Sequence, residues 1–407
     1  MPVEIYLAST ASRVPTKWVV GGSDGFARGG GDASPIKMIT RRHFIKAICL
    51  APFARGLEAA DLARQGSVHF QEARYYRKLT EPKNGVGCLL CPRECVIPDG
   101  EIGFCRARKN TKGTLYALGY GSPCAVHVDP IEKKPFFHVR PTSTSFSIAS
   151  AGCNLRCKFC QNWQISQVSP LETTNYSLPP GAVVDAAMKS GCESIAYTYT
   201  EPSNFFEYML DVAILARKKG ILNVYHSNGY INPEPLKQLC TFLDAADIDL
   251  KGFSQPFYAK NCDAKLKPVL ETLKTLKEKG IWLEITNLII PGQNDDPTMT
   301  AEMCTWIRNN LGPDVPVHFS RFFPMYKMTN ASPTPVSTVE RAREIAMKTG
   351  LHYAYMGNVP GNAGESTYCP GCKKLLIKRS GYSILSNDIK NGKCKYCGVT
   401  IKGLWPV

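Results

Sequence analysis

"SFSIASAGCNLRCKFCQNW", residues 145–163, decides how this chain folds. Its first six residues, 145–150, form a short β-prone run, and the chain then turns through Gly152 into Cys153, Cys157 and Cys160. A strand that ends in a loop of closely spaced thiols is a frame for a metal centre. Structural zinc takes four ligands in a closed tetrahedron. Three thiols on one loop, with no fourth Cys or His beside them, leave a coordination position open. A 4Fe–4S cluster held by three thiolates would present its remaining iron to a small chelating molecule. The alternatives are a zinc site completed from elsewhere in the chain and chance clustering.

Outward from this loop the pattern alternates. β-rich runs fall at 145–150, 194–200, 222–228, 246–252, 282–290, 315–323 and 352–358. Helical patterns lie between them at 181–190, 203–219, 233–243, 264–279, 298–311 and 336–349. In "LKPVLETLKTLKEKG" apolar residues recur at three and four before Gly280 stops the helix. Such alternation predicts an α/β fold with a parallel sheet, here a partial or near-complete β/α (TIM-like) barrel over 141–360. Chemistry would collect at the C-terminal ends of its strands. Flanking it are a Cys-rich N-terminal segment, 67–140, and a C-terminal module, 361–407.

Seventeen cysteines in a 407-residue chain are mostly clustered, which reads as metal binding in a reducing compartment rather than a disulfide framework. At the C-terminus Cys369, Cys372, Cys394 and Cys397 form two CxxC knuckles, a zinc-ribbon spacing with a structural role. In the N-terminal segment Cys88, Cys91, Cys95 and Cys105 would close a tetrahedral zinc site or hold a second cluster, with zinc preferred. The isolated Cys49, Cys124, Cys192, Cys240, Cys262 and Cys304 read as ordinary buried or free thiols.

The formal charge of +15 sits outside the central region. Residues 1–66 carry +4, 67–140 carry +5 and 361–407 carry +6, while 141–360 are neutral with 20 charges of each sign. Basic side chains near four-thiolate metal sites offset their net negative charge, so nucleic acid is not the favoured partner. No apolar run is long enough to span a bilayer. Residues 1–37 are Gly-rich and aperiodic and read as disordered, within a terminal segment 1–66. Met38 reads as the natural start, ahead of an Arg41-Arg42 pair that resembles a twin-arginine export signal; a basic amphipathic helix explains the same residues.

Polar residues cluster at the strand ends: Glu201 in "YTYTEP", Ser227, Asn228 and Gly229 in "HSNGY", Asp249 and Lys251 in "DIDLKGF", and Ile290 and Gly292 in "NLIIPGQND". A carboxylate at a strand end often does no more than cap the next helix. His226 and His318, in predicted strands, read as hydrogen-bonded core histidines.

The loop "AGCNLRCKFCQNW" resembles that of radical S-adenosylmethionine enzymes. Together with "CPRECVIPDGEIGFCRAR", "DPIEKKPFFH", "YTYTEP", "DLKGF", "NLIIPG" and "YAYMGNVPG", it resembles the AmmeMemoRadiSam-system members of that superfamily, relatives of the pyruvate formate-lyase-activating enzymes, over about residues 70 to 400. The resemblance implies a 4Fe–4S cluster on Cys153, Cys157 and Cys160, with S-adenosylmethionine chelated at the open iron. It implies that Phe159 packs the adenine, that Glu201 takes the cofactor's amino group, and that Ile290-Pro291-Gly292 brings backbone near the adenine. Ser227-Asn228-Gly229 resembles a Thr-Asn-Gly of the activating branch, and His226 stands where that branch has an Asp that helps hold a cation. Asp249 and Lys251 take the catalytic contacts to cofactor or substrate. The implied reaction is reductive cleavage of the cofactor to a 5′-deoxyadenosyl radical that abstracts hydrogen, an oxidoreductase-like chemistry. It needs a low-potential donor of flavodoxin or ferredoxin type and a substrate that includes a protein glycine among its candidates. These supplies favour the cytoplasm over export. The competing reading is a non-catalytic metal-binding scaffold that engages protein or nucleic acid through its zinc ribbon.

Overall fold

The computed structural model describes residues 68–406, so the terminal segment 1–66 with Arg41, Arg42 and Met38 lies outside the described residues. An eight-stranded sheet organises the rest. Its strands are β1 (Ala125–Pro130), β2 (Thr144–Ala149), β3 (Ser194–Tyr197), β4 (Leu222–Ser227), β5 (Ala245–Asp249), β6 (Trp282–Ile289), β7 (Val317–Arg321) and β8 (Ala354–Gly357). They lie side by side in chain order. From β2 to β8 every pairing is parallel, with Ser145 opposite Ser194 and Val317 opposite Ala354 at the two ends of the run. β1 runs antiparallel on the outer side of β2. Among the described residues β1 and β8 do not pair with each other, so the sheet stays open rather than closing into a full barrel.

Each parallel step needs a crossover, and six helices supply them: α1 (Pro180–Lys189), α2 (Phe206–Lys218), α3 (Pro233–Cys240), α4 (Leu266–Glu278), α5 (Pro297–Leu311) and α6 (Val336–Lys348). In α4 the buried residues Val269, Thr272, Leu273 and Leu276 fall on one face, and Gly280 follows the last turn at φ +73°. In α5 the Asp296 side chain accepts from the backbone N–H of Thr298 and Met299, with Pro297 at the first helical position. Strands covered by helices read as nearly continuous apolar runs, and β5 and β6 are buried along most of their length.

The C-terminal segment packs onto this sheet through its own core. Phe137, Tyr353 and Tyr355 from the sheet side meet Leu376, Ile377, Ile389 and Ile401. Arg379, 3% exposed, donates to the Phe137 carbonyl at 2.8 Å and lies over the Phe137 ring. His138 joins the same seam: Nδ1 faces the Lys402 carbonyl at 2.7 Å and Nε2 faces the Tyr355 hydroxyl at 2.6 Å.

Candidate active site

The C-terminal strand ends open on one cleft of about 510 Å³. Cys153, Cys157, Phe159 and Cys160 enter it from the loop after β2, Thr198–Glu201 from the end of β3, and His226–Asn228 from the end of β4. Asp249 and Lys251 come from β5, and Thr286 and His318 from β6 and β7. Of the residues the sequence singled out, these lie together. Gly229, Ile290 and Gly292 do not line the cleft. Gly229 serves packing instead: at φ +69°, a Cβ there would stand 2.9 Å from Ile248. The Ile290 N–H is held by the Asn294 side chain and the Gly292 N–H by Asp295.

The three-thiol loop is fixed from several sides. The backbone N–H groups of Arg156 and Lys158 donate to the carbonyls of Cys262 and Asn261, both at 2.9 Å. Asn162 Nδ2 donates to the Tyr199 carbonyl at 2.8 Å. Tyr199 itself sits at φ 64°, a strained conformation for an aromatic residue, directly before Thr200 and Glu201.

These thiols suit a cluster. Donors surround them: Leu155 N–H and Asn228 Nδ2 stand 3.4 and 3.7 Å from the Cys153 sulfur, and the Ser166 hydroxyl stands 3.2 Å from that of Cys160. In a cubane each thiolate binds a different iron. Burial pushes the Cys153 thiol well up, and a hydrogen bond with Cys262 together with burial does the same to Cys157. Such thiols ionise only against a cation, which is what a metal centre supplies. Cys262 had read as an ordinary thiol, and it is fully buried against this loop.

Glu201, 1% exposed, is heavily engaged. Oε1 accepts from Ser203 N–H at 3.1 Å and the hydroxyls of Ser203 and Ser227, both at 2.8 Å. Oε2 accepts from Asn228 N–H at 2.9 Å. The carboxylate therefore caps the short helical turn after β3 and at the same time ties β3 to β4, with Oε2 the less crowded oxygen.

Asp249 and Lys251 form an ion pair at 2.9 Å, with His226 Nε2 3.9 Å from the same carboxylate. Burial alone would raise Asp249, but Lys251 and His226 outweigh it and hold the carboxyl below its usual range. Burial opposes the charge on Lys251 too, and Asp249 with the nearby thiols reverses that strongly. His226 Nδ1 lies 2.6 Å from Asp247, which also accepts from the Thr286 hydroxyl at 3.0 Å. Asp249 overcomes burial and raises the imidazole, with Asp247 adding to it. His318 is a core histidine: Nε2 is 2.7 Å from Glu284, whose carboxylate also takes the N–H groups of Phe137 and His138.

A second charged set went unread in the sequence. Asp129 on β1 accepts from Lys133 and Lys134, each at 2.6 Å, and from the Tyr199 hydroxyl. Lys134 is 2% exposed, and burial brings it down to about 8 despite Asp129. Both lysines line the cleft that Lys251 also lines, and "DPIEKK" was the only trace of them in the chain.

The cysteine group at the other end has different geometry. The sulfurs of Cys369, Cys372, Cys394 and Cys397 all lie within 4.8 Å of one another, a four-thiol site for one metal ion.

A strand–loop–thiol site at the mouth of a parallel α/β sheet defines a class, and comparison with known proteins identifies it. The radical SAM superfamily model matches residues 147–304. Uncharacterized protein MJ0808 of Methanocaldococcus jannaschii is 48% identical over 333 residues, 81% of this chain and 98% of its own. Uncharacterized protein MJ0674 of the same organism is 24% identical over 283 residues, 66% of this chain and 76% of its own. Among solved structures, a radical SAM methyltransferase from Sphaerobacter thermophilus is similar at 13% identity and a TM-score of 0.44, covering 73% of this chain and 80% of that one. A domain of pyruvate-formate lyase-activating enzyme from Bacteroides vulgatus is similar at 16% identity and a TM-score of 0.36, covering 40% and 99%. The chain belongs to the radical SAM superfamily. Membership implies a 4Fe–4S cluster and S-adenosylmethionine. No helix among the described residues is long and apolar enough to cross a membrane.

Proposed function

We propose that this protein is a radical SAM enzyme of the AmmeMemoRadiSam type, with Cys153, Cys157 and Cys160 as the ligands of its catalytic cluster. When bound, that group supplies one electron to the sulfonium, so that S-adenosylmethionine yields methionine and a 5′-deoxyadenosyl radical able to take a hydrogen atom from substrate. The chain's residues bind, orient and exclude water. Glu201 Oε2 accepts from the cofactor's ammonium, and Asn228, which reaches the Cys153 sulfur, fixes the adjoining loop. Phe159, 4% exposed with Lys251 Nζ 5.8 Å from its ring centre, offers an apolar wall for the adenine. Asp249 anchors Lys251, whose ammonium, with those of Lys133 and Lys134, suits a substrate bearing carboxylate or other anionic groups.

The observation that carries this reading is the convergence of three thiols of one loop with Glu201, Asp249 and Lys251 in one cleft. A flavodoxin- or ferredoxin-type protein is the proposed electron donor, the cytoplasm the proposed compartment, and a protein glycine one candidate substrate. Anaerobic reconstitution followed by dithionite and S-adenosylmethionine tests the chemistry. The wild type is expected to release 5′-deoxyadenosine and a Cys157→Ala variant none. Equal release by the variant, or zinc alone at the three thiols, would overturn it. A scaffold would bind the cluster and leave the cofactor intact.

A further inference from the structure

The loop that carries Cys153, Cys157 and Cys160 has three sides. One faces the cleft. A second is covered by the N-terminal segment: Cys153 N–H donates to the Cys105 carbonyl at 3.1 Å, and Asn154 lines a small pocket together with Cys88, Cys91, Cys95 and Cys105. The third side is built by residues 156–163, by 258–267 beyond β5, and by 321–328 from the end of β7. The N–H groups of Arg156 and Lys158 bond the carbonyls of Cys262 and Asn261, and Lys327 N–H donates to the Lys158 carbonyl at 2.9 Å. The Trp163 and Tyr326 rings stack with centres 5.3 Å apart. None of Lys158, Lys260, Trp163, Tyr326 and Lys327 lines the cleft.

This outer face is strongly basic. Its three segments hold seven basic residues and one acidic residue, Asp263. Residues 141–360 carry 20 charges of each sign, so the excess is local and the opposing charge lies elsewhere. Lys260, Lys265, Lys267 and Lys327 are exposed, and Lys158 is half-buried. Asp263 offsets little of this, because its carboxylate already faces Arg93 of the N-terminal segment at 3.7 Å. A concentrated patch of one sign draws in partners of the other and speeds their encounter.

Large apolar side chains stand in water among these lysines. Trp163 is 38% exposed, and Phe323 and Met325, in the turn that carries Tyr326, are 43% and 36% exposed. Single exposed apolar residues need no explanation, but a group of them rimmed by charge marks a contact surface. Trp, Phe and Met are enriched at the centres of protein interfaces, and charged residues form the rim. Trp163 also follows Cys160 by three positions, so the apolar group adjoins the thiol loop itself.

We propose that this face docks the electron donor, an acidic protein that carries one electron on a prosthetic group near its own surface. The inference rests on the reading of Cys153, Cys157 and Cys160 as cluster ligands. Each cleavage of the cofactor consumes one electron, which must come from outside. Cofactor and substrate fill the cleft and the N-terminal segment covers the second side, which leaves the outer face for the carrier. Arg156 and Lys158 flank Cys157 in the chain, so a carrier held by this face lies against the backbone of a ligand thiol. In the transfer the carrier is oxidised by one electron and the cluster reduced by one, with no covalent bond made or broken. Basic charge steers an acidic partner in, and a small apolar centre suits a complex that must part after each transfer. Such complexes typically bury less than about 1,200 Å² in total.

Stopped-flow reduction of the anaerobically reconstituted full-length protein tests this. Reduced flavodoxin is the protein donor, and photoreduced deazaflavin, small and uncharged, is the control. At low salt a Lys260→Glu/Lys327→Glu variant should accept electrons from flavodoxin at least about tenfold more slowly than the wild type, and the gap should narrow as salt rises. Its reduction by deazaflavin should match the wild type. A Lys218→Glu/Lys219→Glu variant carries the same charge change at the end of α2, just before β4 begins and away from the cleft. It should behave as the wild type with both donors. Equal flavodoxin rates in the wild type and the Lys260→Glu/Lys327→Glu variant, or equal slowing by the two variants, would overturn the proposal. Carbodiimide coupling of the wild type to flavodoxin, which joins lysine to carboxylate, reads the contact without electron transfer. Cross-links are expected at Lys158, Lys260 or Lys327, and cross-links confined to 361–407 would overturn the proposal. A protein that neither donor reduces fails as a radical SAM enzyme instead, and the cross-links still decide the docking face.

Discussion

Cys153, Cys157 and Cys160 and the Cys369 group are equally legible as clustered thiols, yet the structure gives them opposite surroundings. The C-terminal four close on each other within 4.8 Å, at the edge of a core that includes Leu376, Ile377 and Ile401. The central three rim a 510 Å³ cleft, where Asn228 Nδ2 donates to the Cys153 sulfur and the Ser166 hydroxyl contacts that of Cys160. A closed set holds a fold together; an open set with a cavity in front of it leaves room for chemistry. The lesson is that ligand count matters less than what occupies the side facing away from the ligands.

The largest effect that could break this contrast is loss of the C-terminal metal. Structural zinc contributes about 10–16 kcal/mol to folding of small zinc modules. A Cys372→Ser/Cys397→Ser variant should therefore lose that metal and become open to proteolysis across 361–406, while the central thiols keep their iron. Retained protease resistance at full length would show that the four thiols staple nothing.

Next in size is the ion pair within the cleft. Lys251→Met leaves the partly buried Asp249 with only His226 nearby, at 3.9 Å. Removing one partner of a buried pair typically costs about 3–5 kcal/mol, and the partial exposure of Asp249 places this case at the lower end. Adding Asp249→Asn should recover most of that loss, a coupling that urea denaturation of the two single variants and the double variant would measure. Additive losses would mean that the pair is not coupled. Neither variant is expected to support 5′-deoxyadenosine formation at the wild-type rate.

A smaller prediction concerns the cleft rim. Tyr382, 52% exposed, reaches the cleft from the C-terminal segment. Tyr382→Ala should change stability by no more than about 0.5 kcal/mol, as exposed substitutions usually do. It should raise the KM for substrate while uncoupled cofactor cleavage stays constant. An unchanged KM would remove the C-terminal segment from substrate recognition.

Periodicity made the seven parallel strands and six helices readable, because covered strands and amphipathic helices each repeat along the chain. The antiparallel β1 was missed: "AVHVDP" is short, and its terminal proline marks it only as an edge. The charged set it carries could not be read either. Lys134 becomes a buried lysine only because Tyr199, in another strand's loop, meets the same carboxylate, and nothing in "IEKK" distinguishes it from a solvated lysine. The central thiols were legible from spacing, but the placement of Cys262 against them depends on a contact 105 positions away in sequence. Ile290 and Gly292 are a different case: the motif was legible, while the hydrogen bonds that hold its N–H groups within the turn, from Asn294 and Asp295, were not.

The seam between the two regions carries the subtlest effect, because it holds the C-terminal segment by hydrogen bonds where the four thiols hold it by metal. His138 is fully buried, with Nδ1 donating to the Lys402 carbonyl and Nε2 2.6 Å from the Tyr355 hydroxyl, which can donate to the neutral ring. Burial brings its pKa down to about 4, against the opposing pull of Glu284. The folded value lies below the unfolded one of about 6.5, so the unfolded chain binds the proton first and stability falls as pH drops from 6.5 toward 4. The full loss is on the order of 3 kcal/mol. Thiolates also release metal in acid, so a simple pH profile would mix the two. A His138→Asn variant keeps every thiol, and metal release then cancels in the difference between the two proteins. That difference should be greatest near pH 7 and shrink toward pH 4; a gap that stays constant or widens would mean that His138 is not the titrating group.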